Sequence, residues 1–261
     1  MIRRLAALLA VVVAACTEVA TDPNAVVAVR FDGSAYPSIV AGDSLRDSLG
    51  NIQPLQAVGL NYKSEPVEGA AFVFSSPDTI LRLFNDGVVF ARGRKADATP
   101  TRVFATVGSL QSQADSLFVV ARADSMRVEK AVDTIPLTPV GGTTPDTLRY
   151  TLFGDTLAAA PKAPIPNWLV SFQLRYRGAL LSPTDTSVAY VYFPTNTAVP
   201  RRALAFVDTS DASGGVGRRV FVRSIPAAVA EDTIYLVATM RTRKLDALPI
   251  SKETMIVIRR E

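Results

Sequence analysis

The chain offers one thiol, Cys16, and no imidazole at all. Histidine is the commonest general base and the commonest metal ligand, so its absence removes Ser-His-Asp, Cys-His and histidine-based metal sites together. A Ser-Lys pair stays chemically open. Yet none of the six lysines follows a serine by three positions, as Ser-x-x-Lys requires. Neither a Gly-x-x-x-x-Gly-Lys loop nor a Gly-x-Gly-x-x-Gly turn occurs. Paired carboxylates are the catalytic device left, because two Asp or Glu suffice and their spacing is invisible in a sequence. The expectation is a non-enzymatic protein without a cofactor.

Two groups of oxygen-bearing residues remain. Asp208, Asp211 and Gly214 fall within nine residues and are weak calcium candidates, since close carboxylates and carbonyls make oxygen-rich sites. They lack the dense alternating acids of a dedicated loop, and turn shaping is the favoured reading. The second group is a triplet of Asp, then Ser or Thr, then an aliphatic residue. It starts at Asp43, Asp47, Asp78, Asp115, Asp124, Asp133, Asp146, Asp155 and Asp232. That is nine of seventeen aspartates, where this composition gives about one by chance. Turn chemistry predicts that Asp ends a turn, the hydroxyl opens a strand and the aliphatic side chain enters the core. The triplet also resembles the acceptor motif of an O-glycosylation system that modifies exported proteins in some bacteria. That resemblance implies Ser44, Ser48, Ser116, Thr147 and Thr233 as acceptors. The pairs Arg201-Arg202 and Arg218-Arg219 sit beside predicted turns and are expected to be solvated loop charges.

The start of the chain supplies a role for the thiol. Arg3 and Arg4 precede an apolar run from Leu5 to Ala15, a charged region followed by a short hydrophobic one. The run falls short of the roughly 20 apolar residues that a transmembrane helix needs. Val13-Ala14-Ala15-Cys16 resembles the lipobox of bacterial lipoproteins. The resemblance implies cleavage before Cys16 and lipid attachment to its sulfur, with the membrane as partner through that lipid. Thr17 stands where Asp often signals inner-membrane retention, which favours an outer-membrane address in the cell envelope. Without residues 1–15 the 28 cations lose Arg3 and Arg4, and the mature charge is near +2, no electrostatic argument for nucleic acid.

These features need a scaffold, and the rest of the chain reads as an all-β one. Runs of β-branched and aromatic residues recur between Gly, Pro, Asn and Asp every 8–15 residues or so, the spacing of antiparallel sandwiches. Val58, Leu60 and Tyr62 alternate with polar neighbours, and Asn85-Asp86-Gly87 separates two apolar runs as a tight turn. Further on, Trp168, Val170, Phe172, Leu174 and Tyr176 alternate with Leu169, Ser171, Gln173 and Arg175, a half-buried strand. The predicted organisation is a leader over 1–15, a tether over 16–24, a first module over 25–122 and a Pro- and Gly-rich linker over 123–147. A second module then occupies 148–261.

Residues 72–120 resemble the group 2 bacterial immunoglobulin-like domain. The match lies in Phe74-Ser75-Ser76-Pro77-Asp78, Asp86-Gly87-Val88-Val89, Ala91 to Gly93 and Val103 to Gly108. Phe74 stands where the family usually has Trp, and the insertion 94–100 is longer than the common pattern. Residues 168–259 resemble the invasin-type, group 1 domain through the turn 207–215 and through Val237-Ala238. Both resemblances imply tandem β-sandwiches on a secreted or surface protein, with no catalytic residues to carry over. The function expected is a lipid-anchored structural, display or adhesion-type module with a protein or glycan partner. The alternative is a carbohydrate- or ligand-binding envelope module, which an exposed row of aromatics on one sheet face would favour.

Overall fold

The computed structural model describes residues 24–32, 34, 36–95, 99–154, 162–193, 206–226 and 229–261. Cys16, the Asp155 triplet, Arg201 and Arg202 lie outside the described residues. Every regular element among those described is a strand.

Ten strands make the first module: β1 (Ala28–Phe31), β2 (Ser38–Val40), β3 (Ala57–Leu60), β4 (Pro66–Val67), β5 (Val73–Ser75), β6 (Leu81–Leu83), β7 (Val89–Ala91), β8 (Thr101–Val107), β9 (Leu110–Gln111) and β10 (Asp115–Val120). One sheet runs β1-β3-β4 and the facing one β2-β10-β8-β5, with β6 and β7 as a separate hairpin. The hairpin closes through the predicted turn: Gly87 has a φ of 82°, and a Cβ there would lie 2.9 Å from the Leu55 carbonyl oxygen. The core between the sheets is small, with Ile39, Leu45, Leu55, Leu81, Val89, Ala91, Val103 and Leu117 buried.

The second module starts where the first ends. Residues 123–147, read above as a linker, contain β11 (Ala123–Val128), β12 (Val132–Leu137) and β13 (Gly142–Thr143). Only Ala121 and Arg122 separate β10 from β11. The prolines misled because Pro136 lies in an edge strand. β12 pairs on one side alone, with the last strand, so a missing N–H can face away from the ladder.

β14 (Leu148–Gly154), β15 (Ala163–Pro164), β16 (Leu169–Tyr176), β17 (Ala179–Leu180), β18 (Ala189–Tyr192), β19 (Val207–Thr209), β20 (Gly215–Val222), β21 (Glu231–Met240) and β22 (Ile250–Arg260) complete it. One sheet is ordered β11-β14-β20 with β18 on the far edge of β20, and the other is β12-β22-β21-β16. In the lettering of immunoglobulin folds these are A-B-E-D and A′-G-F-C. The first module repeats the second of these sheets as β2-β10-β8-β5, with β2 parallel to β10 as β12 is to β22, while its β1-β3-β4 sheet and β6-β7 hairpin stay separate. The chain is therefore two tandem immunoglobulin-like sandwiches. Alternation holds along β16, where Trp168, Val170, Phe172 and Leu174 are buried and Tyr176 is half-buried. It does not hold in the first module, where Val58 and Leu60 are half-buried, Tyr62 is exposed and it is Gly59 and Asn61 that turn inward. Twenty-six buried side chains form one cluster here, and Val40 and Val120 from the ends of β2 and β10 belong to it. The second core thus extends through the joint into the first module.

Candidate functional site: the joint between the modules

The joint is built from loops that the strands bring end to end. Segment 41–56 of the first module faces the β21–β22 loop, 241–249, and the approach to β16 at 165–168. Gly50 shows how closely they meet: a Cβ there would lie 2.6 Å from the Leu245 nitrogen, and its φ of 93° suits glycine.

At the centre is Arg243, with 2% of its surface exposed. A left-handed backbone, φ 55°, is uncommon for such a residue. Its Nη1 donates to the Ser38 carbonyl and its Nη2 to Ser38 Oγ at 2.8 Å. Ser38 Oγ in turn donates to the Asn167 carbonyl at 2.6 Å. The guanidinium lies 4.3 Å from the Tyr36 ring centre and 3.9 Å from that of Trp168. Trp168 is itself fixed by Nε1 donating to the Arg241 carbonyl at 3.0 Å. Tyr36 and Ser38 come from the first module, Asn167 and Trp168 from the second. Two rings and one serine therefore hold a cation that has no carboxylate ion-pair partner among the described residues. Burial pushes its pKa down to about 9, with the Tyr36 hydroxyl opposing that shift and Arg122 adding to it. At neutral pH it remains a cation.

Beside it Arg122 ties the same loops from the outside. Its Nη1 donates to the carbonyls of Thr242 and Arg243 at 2.9 and 3.0 Å, and its Nη2 pairs with Asp43. Asp43 also accepts from the Ser44 N–H at 2.7 Å and from Arg46 Nε at 3.0 Å. Burial alone would raise its pKa, but hydrogen bonds from Arg122, Ser44 and Arg46 outweigh it and hold the carboxyl below its usual range.

Such an arrangement performs no bond chemistry; its product is geometry. A desolvated cation–π contact contributes about 2 kcal/mol. Burying a guanidinium without an anion costs several kcal/mol against water, so the joint adds little net stability. What it adds is register. If one module slid against the other, Arg243 would stay buried and lose its partners, so other packings are penalised.

The residues singled out from the sequence are placed elsewhere. Asp208 pairs with Arg218, which is fully buried with Phe172 and Phe193 ring centres 5.0 and 4.0 Å away. Arg219 donates to the carbonyls of Thr144 and Pro145. This pair is therefore not a set of solvated loop charges: it lies inside β20, where alternation turns Arg218 inward. Asp211 accepts from Ser213 N, Ser213 Oγ and Gly215 N at 2.8, 2.6 and 2.9 Å, a closed turn. The two calcium candidates are thus committed to different partners. Among the described residues no group of three or more acids, His or Cys could hold a metal.

In the triplets, Leu45, Leu117, Met126, Ile135, Leu148 and Ile234 are buried, whereas Leu49 is exposed. The turn bond is made by the aspartate: Asp43, Asp115 and Asp232 each accept from the N–H of the next residue at 2.7–2.9 Å. Ser116 is exposed, and Ser44, Ser48, Thr147 and Thr233 are half-buried. Arg243, the centre of the joint, carried no sequence signal, since its partner Ser38 is 205 residues away.

No family model and no curated protein matches the chain. Among solved structures, it is similar to the adhesin InvE of Yersinia pseudotuberculosis at 13% identity and a TM-score of 0.33, over 85% of this chain and 57% of that one. A PapD-like domain of human CEP192 aligns at 11% identity and 0.30, over 54% and 87%. Domains EC1–3 of mouse protocadherin-24 align at 13% and 0.26, over 89% and 70%. The chain spans little more than half the length of the adhesin.

Proposed function

We propose that the protein is a lipid-anchored, non-catalytic spacer of the cell envelope that presents its second module at a fixed angle to its first. The observation that carries this reading is the joint around Arg243. A ligand-capturing array gains from freely jointed modules, whereas a spacer gains from one direction. In immunoglobulin-like sandwiches the loops cluster at two ends, and variable domains bind through the end that holds the β16-side and β21–β22 loops. In this chain those loops of the second module pack on the first, which leaves the opposite end for a protein or glycan partner. A sugar-binding role, which would need a row of exposed aromatics on a sheet, finds less support: the described aromatics with exposed rings, Tyr62 and Phe84, are both on loops.

Cys16 is the anchor in this reading, with Thr17 favouring the outer membrane. Among the described residues no helix is long and apolar enough to cross a membrane. The test is Cys16→Ser in the native host. Loss of the protein from membranes after a high-salt wash is expected, and a variant that stays with them overturns the anchor.

A further inference from the structure

The register of β1 fixes which end of the first module the chain enters. Val27 N donates to the Leu60 carbonyl at 2.8 Å and Ala28 faces Leu60, so residues 24–27 run beside the tip of the β3–β4 hairpin. The start of β5 is at the same end, because Val73 pairs with Thr106 just before the β8–β9 turn. The joint lies at the other end, where β2 and β10 finish.

That entry end is unusually apolar for loops. Val27, Tyr62 and Val73 are 40%, 48% and 63% exposed. Tyr62 is the exposed aromatic of this end, with Lys63 5.6 Å from its ring centre. Glu65 and Glu68 share the surface, so it holds no excess of positive charge. The other exposed aromatic among the described residues, Phe84, sits on the β6–β7 turn, whose Gly87 meets Leu55, at the opposite end of β3 from the hairpin tip.

We infer that this end rests on the lipid headgroups of the membrane that holds the anchor, with Tyr62 at the interface and Val27 and Val73 beside it. The inference rests on the anchor at Cys16. The eight peptide steps from Cys16 to Asn24 span at most about 28 Å. An anchor at Cys16 therefore holds the entry end within that distance of the bilayer. Aromatic rings favour the headgroup region, and Lys63 can lift its charge into water above it. Because the charges nearly balance, the contact depends on ring partition and persists at high salt.

The experiment uses the lipidated full chain in phosphatidylcholine vesicles. Tyr62→Trp adds one emitter to the buried Trp168, and Leu245→Trp places a control at the joint. The Tyr62→Trp emission is expected to shift to shorter wavelength and to be quenched by brominated lipids at low and high salt alike. The Leu245→Trp emission should be unaffected. Vesicle-bound protein whose Tyr62→Trp emission stays water-like and unquenched overturns the inference, as does equal quenching at both positions, which means a molecule lying flat. Protein that fails to sediment with the vesicles at all overturns the anchor instead, and the inference with it.

Discussion

The two modules share the strand order of one sheet but not a construction. In the second, β20, β21 and β22 run 8, 10 and 11 residues and close over a core cluster of twenty-six buried side chains, two of which, Val40 and Val120, come from the first module. In the first, β5, β6 and β7 have three residues each, its own core cluster has eight buried side chains, and a groove lined by Leu55, Val58, Val67, Phe72 and Phe74 stays open. Stability on folding follows apolar area removed from water, so the one shared sheet order gives a firm module and a marginal one. The difference teaches what the joint is for: the second module lends order to the first through Val40, Val120 and the Arg243 contacts.

The largest effect should come from the firm core. Phe172→Ala removes a ring packed on Tyr150 and Arg218 and should cost about 3–5 kcal/mol in urea unfolding. Leu81→Ala, in the small core of the first module, should cost about 2 kcal/mol, the low end for such truncations. If the two costs are equal, the contrast between the cores is wrong.

Next comes the coupling itself. Arg243→Met keeps the volume but loses the Ser38 bonds and both ring contacts. We expect calorimetry to resolve two transitions where the wild type shows one, with overall stability little changed, since removing the buried cation offsets the lost ring contacts. A single unchanged transition would show that the modules do not depend on this residue.

A smaller effect is tied to acid. The folded pKa of Asp43 is lowered, so its contribution is complete above the unfolded carboxylate value near 4 and is lost as pH falls through the folded value. The wild-type joint should loosen below about pH 4, and Asp43→Asn should flatten that dependence in scattering or unfolding measurements.

The smallest concerns the triplet hydroxyls. Ser116→Ala should change stability by no more than about 0.5 kcal/mol, because Asp115 makes the turn bond and Leu117 fills the core. Intact mass from the native host should show no addition. An increment lost in Ser116→Ala would make this residue a glycan acceptor and give the exposed hydroxyl a use that folding does not.

Much of the fold was legible because its strands alternate. Residues 168–176 read as a half-buried strand from Trp168, Val170, Phe172 and Leu174, and the Asn85-Asp86-Gly87 turn from its glycine. The span 123–147 was misread because Pro136 and Pro139 look like breakers when the edge position of β12 is unknown. The joint was not legible at all. Its signal is spread over Tyr36, Ser38, Trp168 and Arg243, single residues of ordinary type that only the folded chain gathers, and local periodicity cannot report on such pairs.

The parallel ladders decide how the chain meets a pull. In each module the strand near the entrance, β2 or β12, lies parallel to the strand by which the chain leaves, β10 or β22. Tension applied at the two ends shears that ladder, so its bonds share the load together and cannot open one at a time. β12 and β22 align six residue pairs, from Val132 with Met255 to Leu137 with Arg260, while β2 and β10 align three. Forced extension is governed by the barrier to unfolding, and that barrier is lower where fewer bonds resist at once. The first module would lengthen before the second, as a fuse that spares the larger core.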